Sequence, residues 1–455
     1  MSVTETFTDN SISASPDQRF NLGYVLRISF ISALGGYLFG FDFAVIAGAL
    51  PFLQQHFSLN AYWEGFATGS LALGAMIGCV IAGSVSDRFG RRPGLLFAAG
   101  IFALSSLAMA FSFSRGSFII ARFCAGIGVG MASVLSPMYI SEISPAHTRG
   151  RMVAINQLTI VIGILFTNLI NYALRNIGED AWRWMFGLGF IPSVLFFTGA
   201  LWLPESPRWL IKKGHVEKAK MILGKIGDLS FAQNSVREIT DSLQGVIKSR
   251  YADIFNKAVF PAVMVGLGLA VFQQWCGINT VFNYAPKIFE SIGASLDDQL
   301  LQTVFIGGVN LVFTLLAMLL VDKLGRKPLM LIGAGGLAIN YLLIVLLLGH
   351  HSNFVSWFLL AAIGIYAMSL APVTWVLISE IFPNRVRSEA TATAVVGLWF
   401  AYFILVFTFP VLFETLAEKS FYIYAGICLL GFLFIAWKVK ETKGKTLEEV
   451  QQLME

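Results

Sequence analysis

The chain is short of charge. Of 455 residues only 13% are Asp, Glu, Lys or Arg, while 56% are hydrophobic. Soluble domains carry about 25% charged residues. A water-soluble fold of this length has no way to hide so much apolar surface, and a lipid bilayer is the solvent that removes the difficulty. Cysteine is also scarce. Cys79, Cys124, Cys276 and Cys428 each fall inside an apolar stretch with no short spacing between any two. This excludes a disulfide framework and a Cys-based metal motif, and leaves small buried apolar residues as the reading. The five histidines make no ligand cluster, with His350 and His351 adjacent in a polar break. No Gly-x-Ser-x-Gly elbow and no Walker loop occur, which argues against hydrolytic chemistry and against ATP as an energy source. No ring of charges marks a channel filter. The first 20 residues lack a basic segment followed by a short apolar core, so they do not read as a cleavable signal.

What the chain has is apolar runs. A spanning helix needs about 20 mostly apolar residues. Twelve such runs begin near Tyr24, Trp63, Gly94, Phe118, Val153, Arg183, Phe260, Leu301, Leu329, Phe354, Ala390 and Phe421. The expected fold is therefore an all-α membrane protein of twelve transmembrane helices in two six-helix halves. The expected organisation is a disordered cytoplasmic tail over 1–22, a first half over 23–204 and a polar linker over 205–256. A second half over 257–440 and a short cytoplasmic tail over 441–455 complete it. The linker holds Lys212, Lys213, Glu217, Lys218, Lys220, Lys225, Arg237 and Glu238, and its periodicity predicts short amphipathic helices against the base of the bundle.

Lys and Arg concentrate in alternate loops: Arg88, Arg91 and Arg92; Arg149 and Arg151; Lys323, Arg326 and Lys327; Arg385 and Arg387. The segments 51–60 and 350–353 between them have none. The rich side is cytoplasmic by the positive-inside rule, and an even number of spans puts both termini there.

The two halves repeat. Asp87-Arg88-Phe89-Gly90-Arg91-Arg92 recurs as Asp322-Lys323-Leu324-Gly325-Arg326-Lys327. The segment from Glu142 to Arg149 recurs from Glu380 to Arg387, and Pro204-Glu205-Ser206-Pro207-Arg208 recurs weakly as 440–444. Three motifs in one order at nearly one offset describe two related six-helix halves, a design found in transporters that rock about a central site. Asp87 and Glu142 can accept bidentate bonds from arginine. Such pairs at the base of each half would hold the cytoplasmic side closed and break when it opens. The plainer reading is positive-inside topology alone. Matched carboxylates in both halves favour a gating role for Asp87, Arg88, Arg91, Arg92, Glu142, Arg149, Glu205, Arg208, Asp322, Arg326, Glu380 and Arg387.

Asp42 reads as the one carboxylate deep in an early span. A charge there costs several kcal/mol. With Arg122 near the start of span four as partner, it is either a proton carrier or a fixed ion pair, and the residues alone leave both open. A neutral polar site flanked by rings suits a polyhydroxylated solute. Gln157, Gln273, Gln274, Asn279 and Asn310 supply amides; Phe39, Trp375 and Trp399 supply rings. Amides in apolar bundles also serve simply as interhelical bonds. A local unwinding at Gly277 would bring Gln273, Gln274 and Asn279 together, and Pro372 is placed to do the same in span ten.

The strings Asp87-Arg88-Phe89-Gly90-Arg91-Arg92, Pro204-Glu205-Ser206-Pro207-Arg208, Gln273-Gln274-Trp275-Cys276-Gly277-Ile278-Asn279 and the turn from Pro372 to Trp375 resemble the sugar porter family of the major facilitator superfamily, over about 34–449. The resemblance implies proton-coupled symport of a small sugar, a hexose or a pentose, across the cytoplasmic membrane. It implies no cofactor beyond the proton, no enzymatic activity and no nucleic-acid partner. It also implies a chain working as a monomer in the lipid bilayer. Asp42 then matches the protonation site of proton-coupled members and Arg122 its modulator, and the amides and rings above match sugar contacts. A facilitative sugar uniporter, or a proton-coupled carrier of a polyol or other small neutral solute, are the alternatives. The chain departs from the family in several places. Ile164 stands where bacterial xylose carriers have glutamine, and Leu398 where relatives place Gln or Asn. Tyr402 stands where relatives have Asn, Asn283 where many have Tyr, and Lys440 where the family has proline.

Overall fold

The computed structural model describes residues 20–244, 251–257, 259–350, 352, 354–383 and 386–443. It contains eighteen α-helices among the described residues. The first half holds α1 (Leu22–Phe57), α2 (Ala61–Phe89), α3 (Arg91–Ala110), α4 (Arg115–Ile143), α5 (Arg149–Leu174), α6 (Ala181–Gly187) and α7 (Phe190–Leu201). The linker holds α8 (Pro207–Lys212), α9 (Val216–Ile226) and α10 (Leu229–Gln244). The second half begins with α11 (Phe260–Trp275), α12 (Ile278–Glu290), α13 (Leu296–Leu324) and α14 (Arg326–Gly349). It ends with α15 (Val355–Met368), α16 (Leu370–Ile381), α17 (Arg387–Leu416) and α18 (Ser420–Lys438). Three spans are broken, as α6–α7, α11–α12 and α15–α16. The apolar stretch 389–438 is two spans parted by a 3₁₀ turn at Ala417–Lys419. Twelve crossings result, each starting within five residues of its expected position.

The helix ends follow local chemistry. Asn60 caps α2 by accepting from the Trp63 backbone N–H at 3.1 Å. Ser114 and Ser117 form a reciprocal capping box on α4, and Ser295 caps α13 through the Asp298 N–H. Each cap satisfies a backbone donor that the helix itself leaves free. The breaks obey proline. The fracture of span ten falls at Ser369 (φ −123°, ψ −81°), three residues ahead of Pro372. Proline lacks an N–H and crowds the carbonyl four residues earlier, so its distortion appears upstream of the ring. Span six breaks in the same way at Leu188 and Gly189, ahead of Pro192, which the sequence reading did not anticipate. Gly277 (φ +86°) separates α11 from α12, as expected.

The outward segment 51–60 is mostly helix, not loop, because α1 runs through Pro51 to Phe57. Asn21 and Leu22, read as the end of a tail, instead cap and begin α1: Asn21 accepts from the Tyr24 N–H, and its own N–H donates to Ile226 O at 2.8 Å. The linker helices close on one another through Leu210, Ile211 and Ala219, with Trp209, Ile222, Val236, Ile239 and Leu243 packed around them. This gives α8–α10 a small core of their own. Phe20 packs on Phe231 with ring centres 5.1 Å apart and ties the linker to the start of α1.

Candidate functional site

The unwinding at Gly277 assembles the amides. Asn279 Nδ2 donates to Gln274 Oε1 at 2.6 Å, and Gln274 Nε2 donates to Gln273 Oε1 at 3.3 Å. Gln273 Nε2 reaches the backbone carbonyls of Leu370 and Ala371 at 3.3 and 3.2 Å, directly after the break in span ten. Two interrupted helices thus meet at one amide chain. The positive φ of Gly277 permits the turn, and a Cβ there would press on the Tyr424 ring. Gln157 on α5 is half-buried and Asn310 on α13 is 5% exposed; neither amide bonds to protein among the described residues.

The rings gather beside this chain. Phe39 of α1 lies 5.7 Å, centre to centre, from Trp399 of α17. Trp399 meets Tyr402 edge-on at 5.8 Å, and Phe43 contacts both Tyr402 and Phe282. These rings join the first half to the second. Trp375, in contrast, is 43% exposed and joins none of these ring contacts. The departures from the family pattern compensate each other: Tyr402 Oη donates to Asn283 Oδ1 at 3.2 Å, and Asn283 Nδ2 donates to Asn279 O at 2.7 Å. The polarity absent from span eleven has moved to span seven.

Asp42 is fully buried on α1, one turn beyond Phe39. Arg122 Nη1 donates to its Oδ1 at 3.1 Å and Nη2 to its backbone carbonyl at 3.3 Å. Oδ2 has no hydrogen-bond partner. The Arg122 guanidinium also lies over the Phe186 ring at 5.5 Å. One oxygen is therefore held by a cation while the other is unbonded among the described residues.

Asp42 is not alone. Glu64, near the start of α2, is also fully buried, and Lys287 Nζ of α12 donates to its Oε2 at 2.6 Å. The sequence reading missed this pair because Glu64 fell at the very start of an apolar run, where a charge can face the membrane surface. The available signal was two opposite charges, one in each half, each within a turn of a span's outer end. Around it the halves are closed. Gly65 abuts the Phe407 backbone, Asn168 Nδ2 donates to Thr303 O at 2.8 Å, and Arg175 pairs with Asp297.

At the Arg-rich end of the bundle, Arg91 binds Glu142 with two bonds of 2.9 Å and reaches Asp87 at 3.3 Å. Glu205 accepts from the backbone N–H of Arg91 (2.8 Å), Arg92 and Ser206, while Ser206 Oγ donates to Glu142. The second half repeats this. Arg326 donates to Glu380 at 3.3 Å, Thr442 Oγ1 donates to Glu380 at 2.5 Å, and Glu441 accepts from the backbone N–H of Arg326, Lys327, Thr442 and Lys443. Gly90 (φ +108°) and Gly325 (φ +92°) have the same backbone, and in each case a Cβ would strike the matching glutamate. Residues 441–443, read as tail, are thus part of this docked network.

The expectation that these bonds break when the inner side opens does not fit their geometry. Each joins helices of one half and its adjoining segment, so the halves can part with the bonds whole. Arg387 donates to Phe382 O at 3.1 Å, within its own half. Arg88 lies over Phe89, while Arg149 and Arg208 are exposed and make no ion pair among the described residues. The Asp322 side chain, Arg385 and Ser388's side chain lie outside the described residues. All four cysteines are free.

Known proteins resemble this arrangement along nearly the whole chain. The family model described as "Sugar (and other) transporter" matches residues 28–454. The D-xylose-proton symporter of Escherichia coli is 40% identical, covering 96% of this chain and 97% of its own. The glucose transport protein of Synechocystis is 39% identical, covering 96% and 99%. The xylose transporter of E. coli in an inward-open conformation superposes with a TM-score of 0.85 at 37% identity, over 95% of this chain and 100% of the other.

Proposed function

The chain belongs to the sugar transporter family, and from that premise we propose that it carries a pentose or hexose into the cell together with a proton. The reading rests on one observation above others. Phe39, in tilted contact with Trp399 beside the amide chain, and Asp42, paired with Arg122, stand one turn apart on the same helix. Sugar and proton sites on one rigid element are a means of coupling: a shift of α1 felt by one is felt by the other.

Gln157, Gln273, Gln274, Asn279 and Asn310 bind the hydroxyls, and Phe39 and Trp399 hold the apolar faces of the ring. Trp375 takes part only when span ten moves inward. Arg122 competes with a proton for Asp42: loading the proton loosens the pair, and restoring the pair expels the proton. The closed outer end, with the superposition on an inward-open relative, supports a chain facing inward in this structure. Alternating access then requires the halves to rock about the site. The cytoplasmic networks act as clamps that keep each half rigid during that motion, rather than as bars between halves.

The protein works in the cytoplasmic membrane, with the Arg-rich loops, the linker and both termini inside. It functions as a monomer, with the lipid bilayer, the sugar and the proton as its partners. It makes and breaks no covalent bond, and the proton is its only coupling agent. We divide the chain into two halves, about 23–204 and 257–440, joined by the linker 205–256.

The test is transport by the pure protein in proteoliposomes that enclose a pH-sensitive dye, with pentoses, hexoses and polyols added outside. Sugar-dependent acidification supports symport and names the substrate. Sugar uptake without a proton signal makes the protein a uniporter, and a response only to a polyol moves the substrate class.

A further inference from the structure

Outward of the amide chain, α12 carries a polar stripe. Asn279 and Asn283 are spaced four apart on one helix face, and Lys287 follows four residues later, beyond the kink at Tyr284. Asn279 belongs to the amide chain, Asn283 to the bond with Tyr402, and Lys287 crosses to the other half to meet Glu64. Glu64 is 0% exposed and also accepts from Gln54 Nε2 of its own half at 2.8 Å. Lys287 has a second acid within reach. Glu414 Oε1, on α17 of its own half, lies 3.7 Å away, and that side chain is 55% exposed. The inner end of α12 is released from α11 by Gly277, and the helix is further disturbed at Tyr284 (φ −123°, ψ 17°), before Pro286. This half-helix is hinged at one end and pinned by Lys287 at the other.

We infer that Lys287 is a two-position latch of the outer gate, pairing with buried Glu64 when the halves meet and passing to exposed Glu414 when they part. A buried ion pair that simply breaks leaves an uncompensated charge, which is strongly unfavourable. Here Lys287 keeps Glu414, which travels with it, and Glu64 keeps the hydrogen bond from Gln54 while the parting of the halves opens its carboxylate to water. The two acids therefore pull the equilibrium in opposite directions. Glu64 favours the closed outer side and Glu414 the open one. Asn279 at the other end of the same stripe links sugar contact to the latch.

The inference rests on the alternating-access reading, which sugar uptake by the unmodified protein tests separately. The latch is tested by spin-label distances between Gln55→Cys, on the outer end of α1, and Ser291→Cys, just beyond α12. The label pair is placed in full-length protein with Cys79 and Cys124 changed to serine. Glu64→Gln is expected to raise the open-outside population on the order of tenfold. Glu414→Gln is expected to lower that population, in the wild-type and in the Glu64→Gln background alike. Shifts of the same sign from the two acids, or no shift from either in monodisperse protein, overturn the latch and leave a static interhelical pair. Should Glu64→Gln fail to fold, Glu414→Gln decides alone: a fall supports the latch, while no change or a rise overturns it.

Discussion

Glu205 and Glu441 grip equivalent loops in opposite halves, yet their acidities are displaced in opposite directions. Burial dominates at Glu205 and pushes its carboxyl above the ordinary value of 4.5, despite bonds from the Ser206, Arg91 and Arg92 N–H groups. At Glu441 burial also pulls upward. Four backbone N–H groups, from Lys443, Arg326, Lys327 and Thr442, outweigh it and hold the carboxyl below 4.5. A depressed carboxyl contributes stability above its unfolded pKa and loses it as pH falls through the folded value; a raised one contributes below the unfolded pKa and loses it as pH rises through the folded value. Melting temperatures of Glu205→Gln and Glu441→Gln in detergent, followed from pH 7 down to about 4, are therefore expected to differ. The deficit of Glu441→Gln shrinks on acidification, whereas that of Glu205→Gln grows. Parallel pH profiles for the two variants would contradict this account.

Asp42→Asn is expected to remove sugar-dependent acidification while leaving sugar exchange between the two faces of the membrane intact. Asparagine keeps an acceptor for Arg122 but cannot cycle a proton. Arg122→Ala is a different lesion. It strands a buried carboxylate, a loss of about 3–5 kcal/mol if Asp42 stays charged, and its melting temperature should fall by several degrees. Proton signals in Asp42→Asn equal to those of the unmodified protein would assign the coupling elsewhere.

The amide chain predicts a steep dependence on its middle member. Gln274→Ala removes the acceptor of Asn279 and the donor to Gln273 together, at about 1 kcal/mol for each net bond lost. Sugar affinity should weaken by about tenfold or more. Trp399→Ala removes the ring partner of Phe39 and should cost about 1 kcal/mol of binding. Calorimetric titration of both variants with the transported sugar measures these losses. Wild-type affinity in Gln274→Ala would place the sugar away from α11 and α12.

Asn283 and Tyr402 are expected to behave as one unit. Tyr402→Asn or Asn283→Tyr alone breaks the 3.2 Å bond and crowds or empties the space beside Phe43. The double exchange restores an amide–phenol pair in the opposite sense. Transport across a double-mutant cycle should show each single variant impaired and the double variant recovered, with a coupling energy of about 0.5–3 kcal/mol. Additive losses would mean that the two side chains act independently.

Much of this protein was readable from its residues because bilayer thickness and helix length constrain each other so tightly. The twelve apolar runs, the internal repeat and the turn at Gly277 follow from rules that act within a few residues. The amide chain was legible for the same reason: Gln273, Gln274 and Asn279 lie close in sequence around one glycine. What escaped depends on distance in the chain. Glu64 and Lys287 are 223 residues apart, and nothing local to either shows that they meet. The break in span ten was expected from Pro372 and falls at Ser369, because proline acts on the turn before it. The reach of Arg91 to Glu142 was anticipated as chemistry, but whether such a bond lies within a half or between halves is a property of the assembled fold.

The confinement of those bonds to single halves bears on how the protein is made. Arg91, Glu142, Glu205 and Ser206 all precede the linker, so the first half has every partner for its cytoplasmic base once residues near 206 have left the ribosome. The second half completes its own set only with Glu441 and Thr442, which follow its last span. The bonds that fasten the first bundle thus require nothing from the second, and synthesis supplies them first.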